Sequence, residues 1–146
     1  MKLFISWSGE LSHRIALALM DWFPYVINQV VPFVSSESIR KGERWGLDIH
    51  SELSKSRFCL VCLTRENLSE PWIMFEAGAI SGSTGRSRVC AILFDGLRQK
   101  DIGAPLSLFQ NSGFERDEFR KLLLSVNDSF GKKKISEAVL LKSFET

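Results

Sequence analysis

A chain of 146 residues that is 45% apolar and 25% charged has the size and composition of one globular domain with its own core. Lys and Arg (19) barely outnumber Asp and Glu (17), and a net charge of +2 is too small to argue for a nucleic-acid partner. No apolar run reaches the length of a membrane span, and Leu3-Phe4-Ile5 is too short for the core of a signal peptide, so a cytoplasmic protein without membrane contact is expected.

Lys2 to Trp7 predicts a short buried strand, ended by Ser8-Gly9. Ser12 to Phe23 has helical spacing, with Ile15, Leu19 and Trp22 on one stripe and Ala16 and Leu17 flanking it. Pro24 is expected to tilt or end that helix. Val30 to Ser35 predicts a second strand, and Pro32 suits an edge or a strand end better than a central position. Ser36 to Arg44 reads as a polar loop containing Gly42, and Trp45 to Ser56 as a helix with Trp45, Ile49 and Leu53 in line. Phe58 to Leu63 is apolar throughout, the signature of a strand covered on both faces.

Next comes Ser69-Glu70-Pro71-Trp72-Ile73-Met74-Phe75-Glu76-Ala77-Gly78-Ala79. Pro71 fits a helix's first turn and Ser69 its cap. The four-residue spacing of Trp72 and Glu76 puts an indole and a carboxylate on one helical face, one turn apart. Val89 to Phe94 predicts a fourth buried strand. Asp95 to Phe109 reads as a loop with a short helical turn, and Leu106 to Gln110 as a fifth, short strand. Glu115 to Val126 is helical by pattern through Phe119, Leu122, Leu123 and Val126, and Ile135 to Phe144 is a last helix with Ile135, Val139 and Leu140 apolar. Lys132-Lys133-Lys134 reads as a solvated turn before it.

Strands alternating with helices imply an α/β fold with a parallel sheet, and five strands in this length match the flavodoxin-like order 2-1-3-4-5. The loops after the first three strands then meet at one edge, bringing together Ser6-Trp7-Ser8-Gly9, Ser36 to Trp45 and the start of the Trp72 helix. Ile5, Val61 and Ile92 should be buried in parallel strands.

Cys59, Cys62 and Cys90 all lie in apolar runs, and positions three apart on a strand face opposite sides, so Cys59-x-x-Cys62 is not read as a zinc or redox pair. His13 and His50 fall in separate predicted helices with no metal or nucleophilic set around them. No phosphate-cradling glycine loop is present. A receiver-like phosphoacceptor would need paired acids after the first strand and an acid ending the third; here those positions read Ser6-Trp7-Ser8 and Leu63-Thr64.

Phe4-Ile5-Ser6-Trp7-Ser8 resembles the opening box of Toll/interleukin-1 receptor (TIR) domains. Ser36 to Trp45, with Gly42 and a following aromatic, is similar to that family's loop after the second strand, and Trp72-x-x-x-Glu76 resembles the motif of its NAD-cleaving branch. The wording from Ser69 to Ser81 looks most like the bacterial defence-associated members. The resemblance implies that 1–146 is a single TIR-like domain, excised from or partnered with a sensor module. It implies NAD as substrate rather than cofactor, no metal, and cleavage of the nicotinamide–ribose bond with the Glu76 carboxylate stabilising the ribosyl cation. Trp72, Trp45, Ser8, Trp7, Ser36 and Arg44 are then the substrate-binding candidates, Arg44 as a phosphate partner. It further implies activation by TIR–TIR self-association. The rival expectation is a non-catalytic scaffold acting through the same homotypic contacts.

Overall fold

The computed structural model describes residues 2–34, 58–68, 88–102, 110–131 and 135–145. Five strands form one parallel sheet: β1 (Lys2–Ser6), β2 (Val31–Val34), β3 (Phe58–Leu63), β4 (Arg88–Leu93) and β5 (Gln110–Gly113). Their order is β2-β1-β3-β4-β5, the flavodoxin-like order expected from the alternation of elements. β3 lies in the middle, and all six of its residues are buried, as an unbroken apolar run requires. Ile5, Val61 and Ile92 are each fully buried in mutually parallel strands.

Three α-helices are described: α1 (Glu10–Val26), α2 (Arg116–Asp128) and α3 (Glu137–Glu145). They share one core with the sheet face carrying Leu3, Ile5, Leu60, Cys62 and Ile92, into which Ala16, Phe23, Leu122, Val126 and Leu140 pack. The alternate strand positions Phe4, Cys59, Val61 and Ala91 are just as fully buried on the other face. No helix among the described residues is long and apolar enough to cross a membrane.

β2 is an edge strand, which accommodates Pro32 opposite Leu3. α1 begins earlier than its apolar stripe, at Glu10, and runs through Pro24 to Val26. A proline there omits one hydrogen bond, to Met20, and the helix closes within a turn as the Ile27 amide bonds the Phe23 carbonyl. The buried stripe is rotated relative to the expected one: Ser12, Ala16, Leu19, Phe23 and Val26 face inward, Trp22 is partly buried, and Leu17 is exposed. Spacing fixes a helical face only to within the side chains that compete for its margin, and Phe23 displaces Trp22.

The fifth strand stands later than expected, at Gln110–Gly113 rather than Leu106 to Gln110. Its sequence, Gln-Asn-Ser-Gly, has poor strand propensity; backbone pairing with β4, from Cys90 opposite Gln110 to Leu93 opposite Gly113, defines it instead. The short helical turn in the preceding loop is a 3-10 turn at Gln99–Asp101. Val139, expected on the apolar face of the last helix, is exposed, and Leu140 alone of that helix is fully inside. Ile135 precedes α3, where Asn127 holds it: the Asn127 amide donates to the Ile135 carbonyl (2.8 Å), and the Ile135 amide donates back to Asn127 Oδ1 (3.0 Å).

Candidate functional site at the carboxyl edge of the sheet

Because all five strands are parallel, every strand delivers its exit loop to the same edge. The winding of the chain reverses between β1 and β3, which makes their exits the place where open α/β sheets receive ligands. The exit of β1 is Trp7-Ser8-Gly9, and α1 starts directly behind it. Gly9 has φ +88 and ψ 164, a combination essentially restricted to glycine. A side chain there would also overlap the Glu66 carboxylate of the β3 exit.

Those two exits are joined by a buried polar clamp centred on Asn67. Its Nδ2 donates to the Ser8 carbonyl (2.8 Å) and to the Cys62 carbonyl (3.0 Å), while its Oδ1 accepts from the Thr64 amide (2.8 Å). Ser12, in the first turn of α1, completes it: its hydroxyl donates to the Cys62 carbonyl (2.8 Å) and accepts from the Ser8 amide (3.2 Å). Asn67 is 1% exposed, and Ser8 and Ser12 are fully buried. The segments this network joins also carry two buried hydroxyls with no hydrogen-bond partner among the described residues, Ser6 Oγ and Thr64 Oγ1. By strand alternation Ser6 shares the face of Phe4, away from α1.

The β3 exit is tied in turn to the β4 exit. Arg65 donates from Nε to the Asp95 carbonyl (2.9 Å) and from its guanidinium to the Gly96 carbonyl (3.1 Å). Asp95 and Gly96 both have positive φ, 59 and 73, so this loop turns tightly against Arg65. The acids next to these exits, Glu10, Glu66 and Asp95, are all exposed.

Of the site residues expected from sequence, Trp7 and Ser8 lie in the described structure. Trp7 is 7% exposed and belongs to the core cluster, stacked on His13 with ring centroids 3.8 Å apart and planes 19° from parallel. Ser8 is held through both its amide and its carbonyl. Ser36, Arg44, Trp45, Trp72 and Glu76, together with His50, lie outside the described residues. Asn67, Ser12 and Arg65 were not legible as site residues. Thr64-x-x-Asn67 has the form of a local side-chain turn, but nothing in it announces a bond to a carbonyl 59 positions away.

No group of three or more His, Cys, Asp or Glu among the described residues could hold a metal. The cysteines are buried thiols on both faces of the sheet. Burial pushes Cys90 up to about 12 and raises Cys62 further. Cys59 is raised by burial first and then by Cys62 and Cys90. Such buried thiols stay protonated and poorly nucleophilic at neutral pH.

No protein-family model matches the chain, and no curated protein matches it. Among solved structures, the chain is similar to the TIR domains of the activated Roq1 resistosome directly recognizing the pathogen effector XopQ, at 15% identity over 99% of this chain and 84% of that one, with a TM-score of 0.49. A likeness this distant assigns neither a family nor an activity.

Proposed function

We propose that this chain is a TIR-like NAD nucleosidase that cleaves the nicotinamide–ribose bond. In this reading Glu76 is the catalytic carboxylate and Trp72, Trp45, Ser36 and Arg44 bind the substrate, while Trp7 and Ser8, buried at the β1 exit, hold the floor beneath the site. The observation that supports it most is the Asn67–Ser8 bond across the switch point. It joins the opening box to the stretch of chain that leads, from Leu68 onward, into Trp72-x-x-x-Glu76. The opening box and the exit of β3, from which the chain continues toward the Trp72 motif, are therefore neighbours at this edge.

The chemistry asks little beyond one well-placed acid. Nicotinamide in NAD is already a cationic leaving group, so its departure needs no proton donor. Departure leaves positive charge on the ribose, as in glycoside cleavage. A carboxylate near that carbon stabilises the charge, and water completes hydrolysis to ADP-ribose; an internal nucleophile would give a cyclic product instead. Self-assembly completes the active form, in the defence setting that the sequence resemblance implies, with a sensor module supplying the trigger.

The test is to incubate concentrated protein with NAD and resolve nicotinamide, ADP-ribose and cyclic products by chromatography, for wild type and Glu76→Gln at matched oligomeric state. Glu76→Gln should lower the rate by on the order of a hundredfold to a thousandfold, because it removes one electrostatic stabiliser of the transition state while barely changing shape. Equal rates would remove Glu76 from the mechanism. A silent, assembled wild type would make the chain a scaffold.

A further inference from the structure

We infer that Asn67 is a positioning residue of this site: it sets the β1 exit, which carries Trp7 and Ser8, in register with the β3 exit, which leads into the Glu76 segment. The inference rests on the NAD-cleaving reading and adds to it a residue that touches no reacting atom.

Three observations carry it. First, Asn67 makes all of its bonds to backbone groups of the two exits: Ser8 and Cys62 carbonyls, and the Thr64 amide. A carboxamide bonded to three backbone groups of fixed strands defines a distance and an orientation between them, which a hydrophobic contact would not. Second, α1 is bonded to the same point through Ser12, whose hydroxyl touches both the Ser8 amide and the Cys62 carbonyl. Third, each of the two segments it joins carries a buried hydroxyl with no partner among the described residues, Ser6 Oγ in one and Thr64 Oγ1 in the other. Such hydroxyls keep this edge polar where apolar side chains would pack without cost.

The donor is what matters, and this gives the inference a test that a mere brace would not pass. Asn67→Asp is nearly isosteric but turns an oxygen toward the Ser8 and Cys62 carbonyls. When ionised, that carboxylate repels both. When protonated, it again presents a donor. Burial and the two carbonyls raise the titration of the introduced carboxyl above the ordinary range, so its neutral form persists toward mildly acidic pH.

The experiment measures nicotinamide release from NAD by assembled wild type, Asn67→Asp and Asn67→Leu from pH 5 to 8, each variant expressed as its ratio to wild type, with fold and assembly checked by circular dichroism and light scattering. At pH 8, Asn67→Asp should lose on the order of tenfold in kcat with a much smaller change in KM, since misregistered loops cost more in the transition state than in binding. Its ratio should climb toward wild type as the pH falls, while that of Asn67→Leu stays low throughout. If Asn67→Asp unfolds at pH 8, Ser12→Ala takes its place: it keeps Asn67 and removes two bonds of the clamp, and should lower kcat by a few-fold. A folded Asn67→Asp with wild-type kcat at pH 8, or a lowered kcat that does not recover in acid, overturns the inference and leaves Asn67 as a brace. With an active wild type that result bears on Asn67 alone; a wild type that releases no nicotinamide overturns the proposed function and this inference with it.

Discussion

Two buried asparagines do similar work in different parts of this molecule. Asn127, 3% exposed, exchanges a pair of hydrogen bonds with Ile135 and so ties the chain entering α3 to the end of α2. Asn67, 1% exposed, ties the exits of β1 and β3. The first joint is closed and self-contained: one side chain, one backbone residue, both polar edges matched. The second spans segments far apart in sequence, each of which carries a buried hydroxyl with no partner among the described residues. The first reads as architecture. The second holds a polar, imperfectly satisfied edge in one geometry, at the place where the topology receives ligands.

The largest effect on stability should come from breaking the second joint. Asn67→Leu strands the Thr64 amide and the Ser8 carbonyl in the interior and should cost about 3 kcal/mol, against about 2 kcal/mol for Asn127→Leu, where partly exposed Ile135 recovers bonds from water. Urea unfolding of the two variants measures the difference, and a larger loss at Asn127 would reverse the comparison. Gly9→Ala should follow, at roughly 1–3 kcal/mol, since φ +88 with ψ 164 strains any side-chain-bearing residue. Adding Glu66→Ala should restore little of it, because Glu66 is exposed and flexible while the backbone strain remains.

A smaller effect of opposite sign is expected beside the clamp. Ser6→Ala and Thr64→Val remove unpartnered hydroxyls and should be neutral or stabilising by up to about 1 kcal/mol, whereas Ser12→Ala, which deletes a bonded hydroxyl, should destabilise by about 1 kcal/mol. Thermal unfolding of the three variants separates these signs.

The smallest effect near neutral pH should come from the thiols. A buried thiol held above its ordinary value of 9.0 favours the folded state fully below that pH, and this contribution is lost as pH rises from there toward about 12, the range in which Cys90 titrates. Stability should therefore be insensitive to these groups at pH 7 and decline on the alkaline side. Alkylation at pH 8 followed by mass spectrometry sharpens the contrast between the joints. Asn67→Leu should speed modification of Cys62, whose carbonyl the clamp holds, and Asn127→Leu should not.

Local pattern made much of the fold legible. The unbroken apolar run from Phe58 to Leu63 marked the central strand to the residue, and Phe119, Leu122, Leu123 and Val126 marked the buried face of α2. Pro32 indicated an edge or a strand end, and β2 is an edge strand. Legibility failed where the deciding partner was distant. Gln110–Gly113 is a strand because β4 offers it an unpaired edge, not because its residues favour one. Trp22 and Leu17 yielded the inner face of α1 to Phe23 and Val26 because the sheet beneath selected which side chains fit.

The same division holds at the candidate site. The sequence by itself determined the order of strands and helices, and with it the meeting of the β1 and β3 exits at one edge, because hydrophobic periodicity and right-handed crossovers leave few topologies open. It also displayed Trp72, Glu76 and the opening box as motifs, since their spacing and kind are local properties. Only the tertiary structure decided that Ser8 is held by Asn67, that Trp7 lies against His13, and that Ser6 and Thr64 keep buried hydroxyls without partners. A hydrogen bond between residues 8 and 67 leaves no periodic trace in either segment; it exists because folding brings their backbones within reach, and an amide side chain of the right length stands between them.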